Sequence, residues 1–263
     1  MTTLKLQWIL LAASVAMFFS LSSATAVPLL SDDFNDNSLD PAKWTTNLNI
    51  PQGGASVTEQ NQRIELVSRG HLNTALEYDP VTLGGLRITG DWTFVSGEGG
   101  PGGPPEFIQV LTRSDGLPNP ANCCGETTNG VEFYMQTNDG NLVLRTRNAA
   151  TIGVTQLTNP SIGAVNANQV FNFEVIDDGL GGLSFTMTEI GGAGRTATAT
   201  GTVDSDLFNS NVVTFHNREA GRISYLDNVS IETLTVIPEP SSIVLAALGL
   251  LGLVCVVLRR RRA

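Results

Sequence analysis

This 263-residue chain contains few basic residues, two histidines and three cysteines. A shortage of lysine and arginine argues against nucleic-acid binding, because affinity for a phosphate backbone depends on neutralising cations. His71 and His216 stand far apart and do not form the spacing of a zinc site. The glycine-rich segment 97–105 lacks the Lys-Ser/Thr pair of a phosphate-binding loop. These absences disfavour nucleic-acid, zinc and nucleotide-phosphate functions.

The cysteines are Cys123, Cys124 and Cys255. Cys255 lies in an apolar C-terminal run, so the remaining pair cannot supply a long-range disulfide within the rest of the chain. In an oxidising compartment, Cys123 and Cys124 form either a strained vicinal disulfide or two thiols that stay free or pair with another chain. The sequence does not choose between these states.

The C-terminal segment 238–263 has three parts. In chain order these are Pro238, Glu239 and Pro240, then an apolar run 243–258, then Arg259, Arg260, Arg261 and Arg262. The run approaches the roughly 17–25 residues of a membrane-spanning helix, and flanking arginine stems extend its reach. We therefore expect a single transmembrane helix over 243–258. The arginine cluster places the C-terminus in the cytoplasm and the rest of the chain outside.

This arrangement resembles the PEP-CTERM sorting signal of Gram-negative bacteria. The resemblance implies recognition by an exosortase, a membrane cysteine protease that cuts near Pro238–Pro240. It then releases or re-anchors the product at the cell surface, usually in bacteria that make exopolysaccharide. The alternative is a plain C-terminal membrane anchor. In both cases the protein is first anchored in the inner membrane with its main domain in the periplasm.

The N-terminus has the pattern of a secretory signal peptide. Lys5 precedes an apolar stretch from Trp8 to Leu21, and Ala24 and Ala26 form a small-x-small site that signal peptidase accepts. We expect residues 1–26 to be removed before Val27. A signal anchor that stays attached is the alternative.

Removing both ends leaves residues 27–237, enough for one domain with a sizeable core. Without Glu239 the acidic residues fall from 25 to 24, and without Lys5 and the four terminal arginines the basic residues fall from 15 to 10. The net charge of this domain is therefore near −14, which favours solubility and surface cation binding and repels phosphate backbones.

Apolar residues in this domain alternate with a period of two. The clearest runs are 171–175, 183–187 and 195–203. Asn138-Asp139-Gly140 separates two alternating runs and predicts a hairpin turn, and the segment 177–182 predicts a longer one. More than ten short strands without a helical pattern predict an all-β, two-sheet antiparallel sandwich.

Two terminal segments add a second resemblance. The opening segment 31–44, which contains Phe34 and Trp44, and the closing segment 224–231 are similar to the first and last strands of concanavalin A-like jelly rolls. Legume lectins, laminin G-like modules and laminarinase-type glycoside hydrolases share that fold. The resemblance implies a jelly roll in which the first and last strands pair.

The catalytic motif of the laminarinase-type hydrolases is broken in this sequence. Laminarinase-type hydrolases carry their carboxylates on one strand as Glu-x-Asp-x-(x)-Glu, and retaining chemistry needs two carboxylates about 5–5.5 Å apart. The nearest segment here has Glu132, but Tyr134 stands at the Asp position and Gln136 follows. We therefore expect no enzyme activity and keep a divergent glycoside hydrolase as a second alternative.

Glycan binding without catalysis is the first alternative. Jelly-roll faces bind sugars through stacked aromatic rings and through polar side chains that reach hydroxyl groups. The candidate contact residues are Trp92, Tyr134, Gln136, Arg145 and Arg147. Trp92 alternates with Phe94, so core packing competes with a ligand role for this residue.

Three aspartates are candidate ligands of a structural Ca²⁺. The resemblance brings Asp32, Asp33 and Asp227 to paired terminal strands, where related modules hold calcium through carboxylate and carbonyl oxygens. Ordinary turn and edge-strand roles are the alternative. The overall expectation is a non-catalytic, exported cell-surface or exopolysaccharide-matrix protein.

Overall fold

The computed structural model describes residues 26–48, 54–95, 107–117, 129–147, 153–204, 210–218 and 221–234. The side chains of Phe107 and Arg147 are not part of this description. Among the described residues, no helix is long and apolar enough to cross a membrane. The predicted helix 243–258 lies outside them, as does all of the predicted signal peptide except Ala26.

Fifteen strands make up the described fold. They are β1 (Pro28–Asp32), β2 (Trp44–Asn47), β3 (Ser56–Glu59), β4 (Ile64–Val67), β5 (His71–Thr74), β6 (Leu86–Phe94), β7 (Phe107–Ser114), β8 (Gly130–Gln136), β9 (Leu142–Arg147), β10 (Val154–Gln156), β11 (Val170–Asp177), β12 (Gly182–Ile190), β13 (Thr196–Val203), β14 (Val212–Asn217) and β15 (Ile223–Thr233). These strands lie within a compact unit, Pro28–Thr235.

The strands form two antiparallel sheets. The nine-stranded sheet has the order β10-β13-β12-β11-β6-β15-β4-β3, with β1 paired to β15, and the six-stranded sheet has the order β2-β5-β14-β7-β8-β9. Pairing of β1 with β15 aligns Pro28 with Glu232 and Asp32 with Val229. The predictions of an all-β sandwich and of paired terminal strands are confirmed.

The period-two alternation places one face of each sheet in a shared core. In β11, Phe171, Phe173 and Val175 are fully buried. Phe173 of the nine-stranded sheet packs against Phe215 of the six-stranded sheet, with ring centroids 6.2 Å apart. Burial of such rings supplies most of the stabilisation, about 1.5–3 kcal/mol for each large apolar side chain removed from water.

An ion pair joins the two sheets at one end. Arg113 of β7 donates from Nε and Nη2 to the two carboxylate oxygens of Asp177 on β11, at 2.9 and 2.8 Å. Both side chains are buried. The pair is a bidentate charge-assisted contact, the geometry that best compensates buried charge.

The predicted Asn138-Asp139-Gly140 turn connects β8 and β9. Gly140 has φ +69° and donates its N–H to Gln136 O at 2.8 Å. A Cβ at this position would lie 2.1 Å from the carbonyl oxygen of Gly163. Glycine is therefore required both by the backbone conformation and by the close approach of a second backbone segment.

We expect Gly140→Ala to lower the free energy of unfolding by about 2 kcal/mol or more, since it adds this clash to the strain of a left-handed alanine. Gly191→Ala is a matched control, because Gly191 has φ +78° but open space around its Cβ position. The control should cost only the conformational strain, about 1 kcal/mol. Equal losses for the two variants in urea titrations would contradict the role of the close approach.

Candidate functional site

The outer face of the six-stranded sheet carries a row of polar side chains. Along β8, Val131, Phe133 and Met135 point into the core. Glu132 and Tyr134 alternate with them and therefore lie on the opposite face. This outer face is the candidate site.

Glu132 and Arg145 form the centre of the site. The two residues are directly opposite each other on β8 and β9. Arg145 Nε donates to Glu132 Oε2 at 2.5 Å, and its guanidinium carbon lies 4.5 Å from the centroid of the Tyr134 ring. Arg145 remains 31% exposed, while Glu132 is fully buried. The cation thus covers both the carboxylate and one face of the aromatic ring.

Burial raises the pKa of Glu132 to about 7. The positive charges of Arg145 and Arg218 and the Arg145 hydrogen bond oppose this effect without cancelling it. Loss of hydration disfavours the ionised carboxylate in the folded protein. Glu132 is therefore a carboxyl group that changes its charge near neutral pH.

The polar row continues across the sheet through three strands. Gln109 on β7 lies opposite Tyr134, His216 on β14 lies opposite Gln109, and His71 on β5 lies opposite His216. His216 Nδ1 and Gln109 Oε1 are 3.0 Å apart, and the two imidazole rings meet edge-to-face at 4.4 Å between centroids. All three side chains are buried. Gln109 Nε2 finds no hydrogen-bond partner within the part of the chain that the structure describes.

The sequence did not identify these three residues as a group. His71, Gln109 and His216 are widely separated along the chain, and only the pairing of β5, β14 and β7 brings them together. No spacing in the sequence encodes that pairing. The only sequence signal for these residues is that each is polar and lies on a strand. Many ordinary solvent-facing residues have the same property, so the signal does not single out a site.

Glycoside hydrolysis depends on the carboxylates of a site. Glu132 is the single carboxylate on the six strands of this sheet. Hydrolysis of a glycosidic bond uses two carboxyl groups, separated by about 5–5.5 Å in retaining enzymes and about 6.5–9.5 Å in inverting enzymes. The described strands supply one of the two.

The predicted glycan-contact residues differ in how much of each side chain is exposed. Trp92 is 1% exposed and packs in the core against Phe173 and Phe215, at 5.9 and 6.4 Å between ring centroids. This placement corrects the assignment of Trp92 to a glycan-binding face, because a ring without exposed surface cannot stack on a sugar. Gln136 is partly buried at the end of β8.

The candidate calcium residues do not assemble into a metal site. No group of three or more possible metal-binding side chains occurs among residues 26–234 as far as they are described. Asp32 Oδ2 accepts hydrogen bonds from Trp44 Nε1 at 2.8 Å and from Lys43 Nζ at 3.3 Å. A neighbouring ammonium group opposes a cation at that oxygen, so Asp32 does not fit the role of a calcium ligand.

Asp227 lies closer to other acidic groups. Its pKa is raised first by burial and then by the negative charges of Asp91 and Asp33. The oxygens of Asp91 already accept hydrogen bonds from the side-chain amides of Asn172 and Asn228, at 3.0 and 2.9 Å. This acidic group is therefore held by amide donors.

The remaining predicted sites lie outside the described residues. They are Ala24 of the signal-peptidase site, the pair Cys123 and Cys124, the motif Pro238, Glu239 and Pro240, and the arginines Arg259, Arg260, Arg261 and Arg262.

Comparison with protein families identifies the C-terminal segment. Residues 236–262 match the PEP-CTERM protein-sorting motif. The predicted sorting signal is confirmed by this match. A comparison with curated protein sequences gave no match.

Comparison with solved structures identifies the fold as lectin-like. Peanut lectin in complex with a 9-residue peptide is 15% identical, with a TM-score of 0.54, and the match covers 79% of this chain and 99% of the lectin. The exoplasmic/lumenal domain of VIP36, in a Ca²⁺/Man3GlcNAc-bound form, is 10% identical, with a TM-score of 0.55 and coverages of 78% and 90%. The carbohydrate recognition domain of Emp47p is 13% identical, with a TM-score of 0.53 and coverages of 81% and 96%. The concanavalin A-like jelly roll predicted from the sequence is confirmed as the fold.

Proposed function

We propose, on the basis of the sorting motif at 236–262, that this is an exported surface or exopolysaccharide-matrix protein that an exosortase processes near Pro238–Pro240. Signal peptidase removes residues 1–26, and the arginine cluster 259–262 holds the tail in the inner membrane until the exosortase acts. The jelly-roll domain, residues 27–237, then works outside the cytoplasm. The observation that carries this proposal is the match of the tail to the sorting motif.

Alanine at Pro238, Glu239 and Pro240 tests this proposal. In the native host, the altered chain should accumulate as an uncleaved inner-membrane form, whereas the unaltered chain should reach the cell surface or the medium. A variant with alanine at Ser241 and Ser242 is the control and should be processed normally. Equal processing of all three chains would contradict sorting by the motif.

The role of the domain itself is non-catalytic in this proposal. Support comes from Glu132, the single carboxylate on the described strands of this sheet, and from its tight pairing with Arg145. Glu132→Gln in a preparation that hydrolyses β-glucan is the direct test. Loss of such an activity in this variant would contradict the non-catalytic role and favour a divergent hydrolase.

Glycan binding is the second candidate function. Its support is the polar row that ends, on its β9 side, at the partly exposed guanidinium of Arg145. Sugar hydroxyls both donate and accept hydrogen bonds, so they match the guanidinium of Arg145 and the amide of Gln136, which are the partly exposed groups at this end of the row. The accessible contacts are Arg145 and Gln136, with Tyr134 beneath the guanidinium.

We expect Arg145→Gln to weaken the binding of a glycan selected on an array by about ten-fold or more, because a charged hydrogen bond contributes about 1.5–3 kcal/mol. Arg87→Gln is a matched control. Arg87 is a partly exposed arginine that pairs with Glu174, and both residues lie on the nine-stranded sheet, away from the candidate site. Thermal melts verify that both variants are folded. Equal affinities for the two variants, or no saturable binding by the unaltered domain, would contradict this candidate.

A structural calcium ion at the terminal strands is not part of this proposal. The ammonium group of Lys43 beside Asp32 weighs against it. We therefore expect the same melting temperature in excess EDTA and in added Ca²⁺. A higher melting temperature in Ca²⁺ would contradict this expectation and direct attention to Asp33 and Asp227.

A further inference from the structure

The end of the domain from which the chain continues into the sorting motif has a distinct surface. We call it the exit end and define it as residues 75–85, 115–117, 178–182 and 234. After β15 ends at Thr233, Leu234 N donates to Gly85 O at 3.0 Å. Residues matching the sorting motif begin at position 236. The last described residue is thus tied to the exit end directly before the motif starts.

Three turns of the same construction project apolar side chains from this end. In each turn an aspartate Oδ1 accepts the N–H of an apolar residue two positions later. The pairs are Asp79 with Val81 at 3.0 Å, Asp115 with Leu117 at 3.1 Å, and Asp178 with Leu180 at 2.7 Å. The three apolar side chains are exposed, Leu180 to 92%. Leu76 is a fourth exposed apolar residue on the same surface.

The turns are neighbours in space. Gly179 lies against the loop that carries Val81, since a Cβ on Gly179 would be 2.2 Å from Pro80 O. Asn73 Nδ2, on β5 and two residues before the same loop, donates to Gly116 O at 3.1 Å. Large exposed apolar side chains on adjacent loops are typical of interaction surfaces.

The length of the tail limits what can cover this surface. Pro238 is four residues beyond Leu234 in the chain. Even fully extended, four residues span at most about 14 Å. A protease that holds Pro238–Pro240 in its active site must therefore approach the exit end closely.

The charge of the exit end selects between a lipid and a protein surface. The exit end, as defined above, contains four acidic residues and no lysine or arginine. The acidic residues are Glu77, Asp79, Asp115 and Asp178. Anionic lipid headgroups repel such a surface, whereas a protein with apolar and basic side chains complements it. The exit end is therefore more complementary to a protein surface than to the bilayer.

We propose that the exit end is a docking surface for the processing protease, which contacts Val81, Leu117 and Leu180 while it cleaves the tail. This inference rests on the proposed exosortase processing. It adds that recognition involves the folded domain as well as the motif. The protease surface that contacts the exit end is expected to combine apolar side chains with lysine or arginine.

The test is the rate of precursor cleavage in the native host, followed by pulse labelling of the full chain. The triple variant Val81→Ser, Leu117→Ser and Leu180→Ser keeps the three aspartates and the glycines of the turns. We expect its cleavage to be slowed about five-fold or more, because the variant removes the apolar contacts with the protease. The control carries Leu157→Ser and Ile190→Ser, two exposed apolar residues outside the exit end. It should be cleaved at the unaltered rate.

Insertion of a flexible twelve-residue Gly/Ser segment after Thr235 provides an independent measurement. It leaves the matched motif intact and removes the enforced proximity of the domain, so cleavage should again slow. Faster cleavage would mean that the domain only obstructs the protease, and it would overturn the inference. Equal rates for the triple variant, its control and the unaltered chain would also overturn it. No cleavage of the unaltered chain would overturn the proposed function together with this inference.

Discussion

Replacing Asp177 with alanine is expected to lower the free energy of unfolding by about 3–5 kcal/mol. Asp177 is 0% exposed and accepts hydrogen bonds from Arg113, from Thr112 Oγ1 at 3.2 Å and from Gly179 N at 3.2 Å. The substitution removes the only charge that compensates the buried Arg113 guanidinium among the described contacts of that group. Urea titration of the domain, residues 27–237, measures the loss.

A double substitution separates the cost of an unpaired charge from the cost of lost packing. Arg113→Met with Asp177→Leu removes both charges and retains most of the volume. It should be more stable than Asp177→Ala alone, because replacing both members of a buried ion pair is often nearly neutral. A loss below about 1 kcal/mol for Asp177→Ala would contradict the role of this pair in joining the two sheets.

The second large effect is a pH dependence that originates at Glu132. Its folded-state pKa of about 7 lies above the value of an unfolded glutamate, about 4.3. The stabilisation from the neutral carboxyl is therefore fully present below about pH 4.3 and is lost as the pH rises through 7. The free energy of unfolding should fall across this window by up to about 4 kcal/mol relative to a protein without the group.

Glu132→Gln tests this prediction, since glutamine keeps the shape and remains neutral. The difference in unfolding free energy between the variant and the unaltered domain should increase steadily from pH 4.5 to pH 7.5. Urea titrations at intervals of half a pH unit measure this difference. A constant difference across the window would contradict a raised pKa for Glu132.

Much of the fold was predictable because it depends on local patterns. The alternation in 171–175 and 183–187 predicted β11 and β12, and Asp139-Gly140 predicted the turn between β8 and β9. The sorting motif was predictable because its three parts are contiguous in the chain. These features need no knowledge of which distant strands pair.

The candidate site was less predictable because it depends on strand pairing. Alternation in β6 placed Trp92 and Phe94 on one face but did not decide that this face is the core. Likewise, the contact between Lys43 and Asp32 joins a loop to a strand edge and leaves no pattern in the sequence. The neighbours of Gln109 follow from the order of β5, β14, β7 and β8 in the sheet.

The most direct test of the central claim is the intact mass of the protein recovered from its native host, with and without the exosortase. We predict a mass for a chain that begins at Val27 and ends near Pro238–Pro240 when the exosortase is present, with any added group visible as an increment. Without the exosortase, the mass should include residues 243–263. A mass that retains Ile243 to Ala263 in both strains would contradict exosortase processing and leave an ordinary membrane-anchored protein.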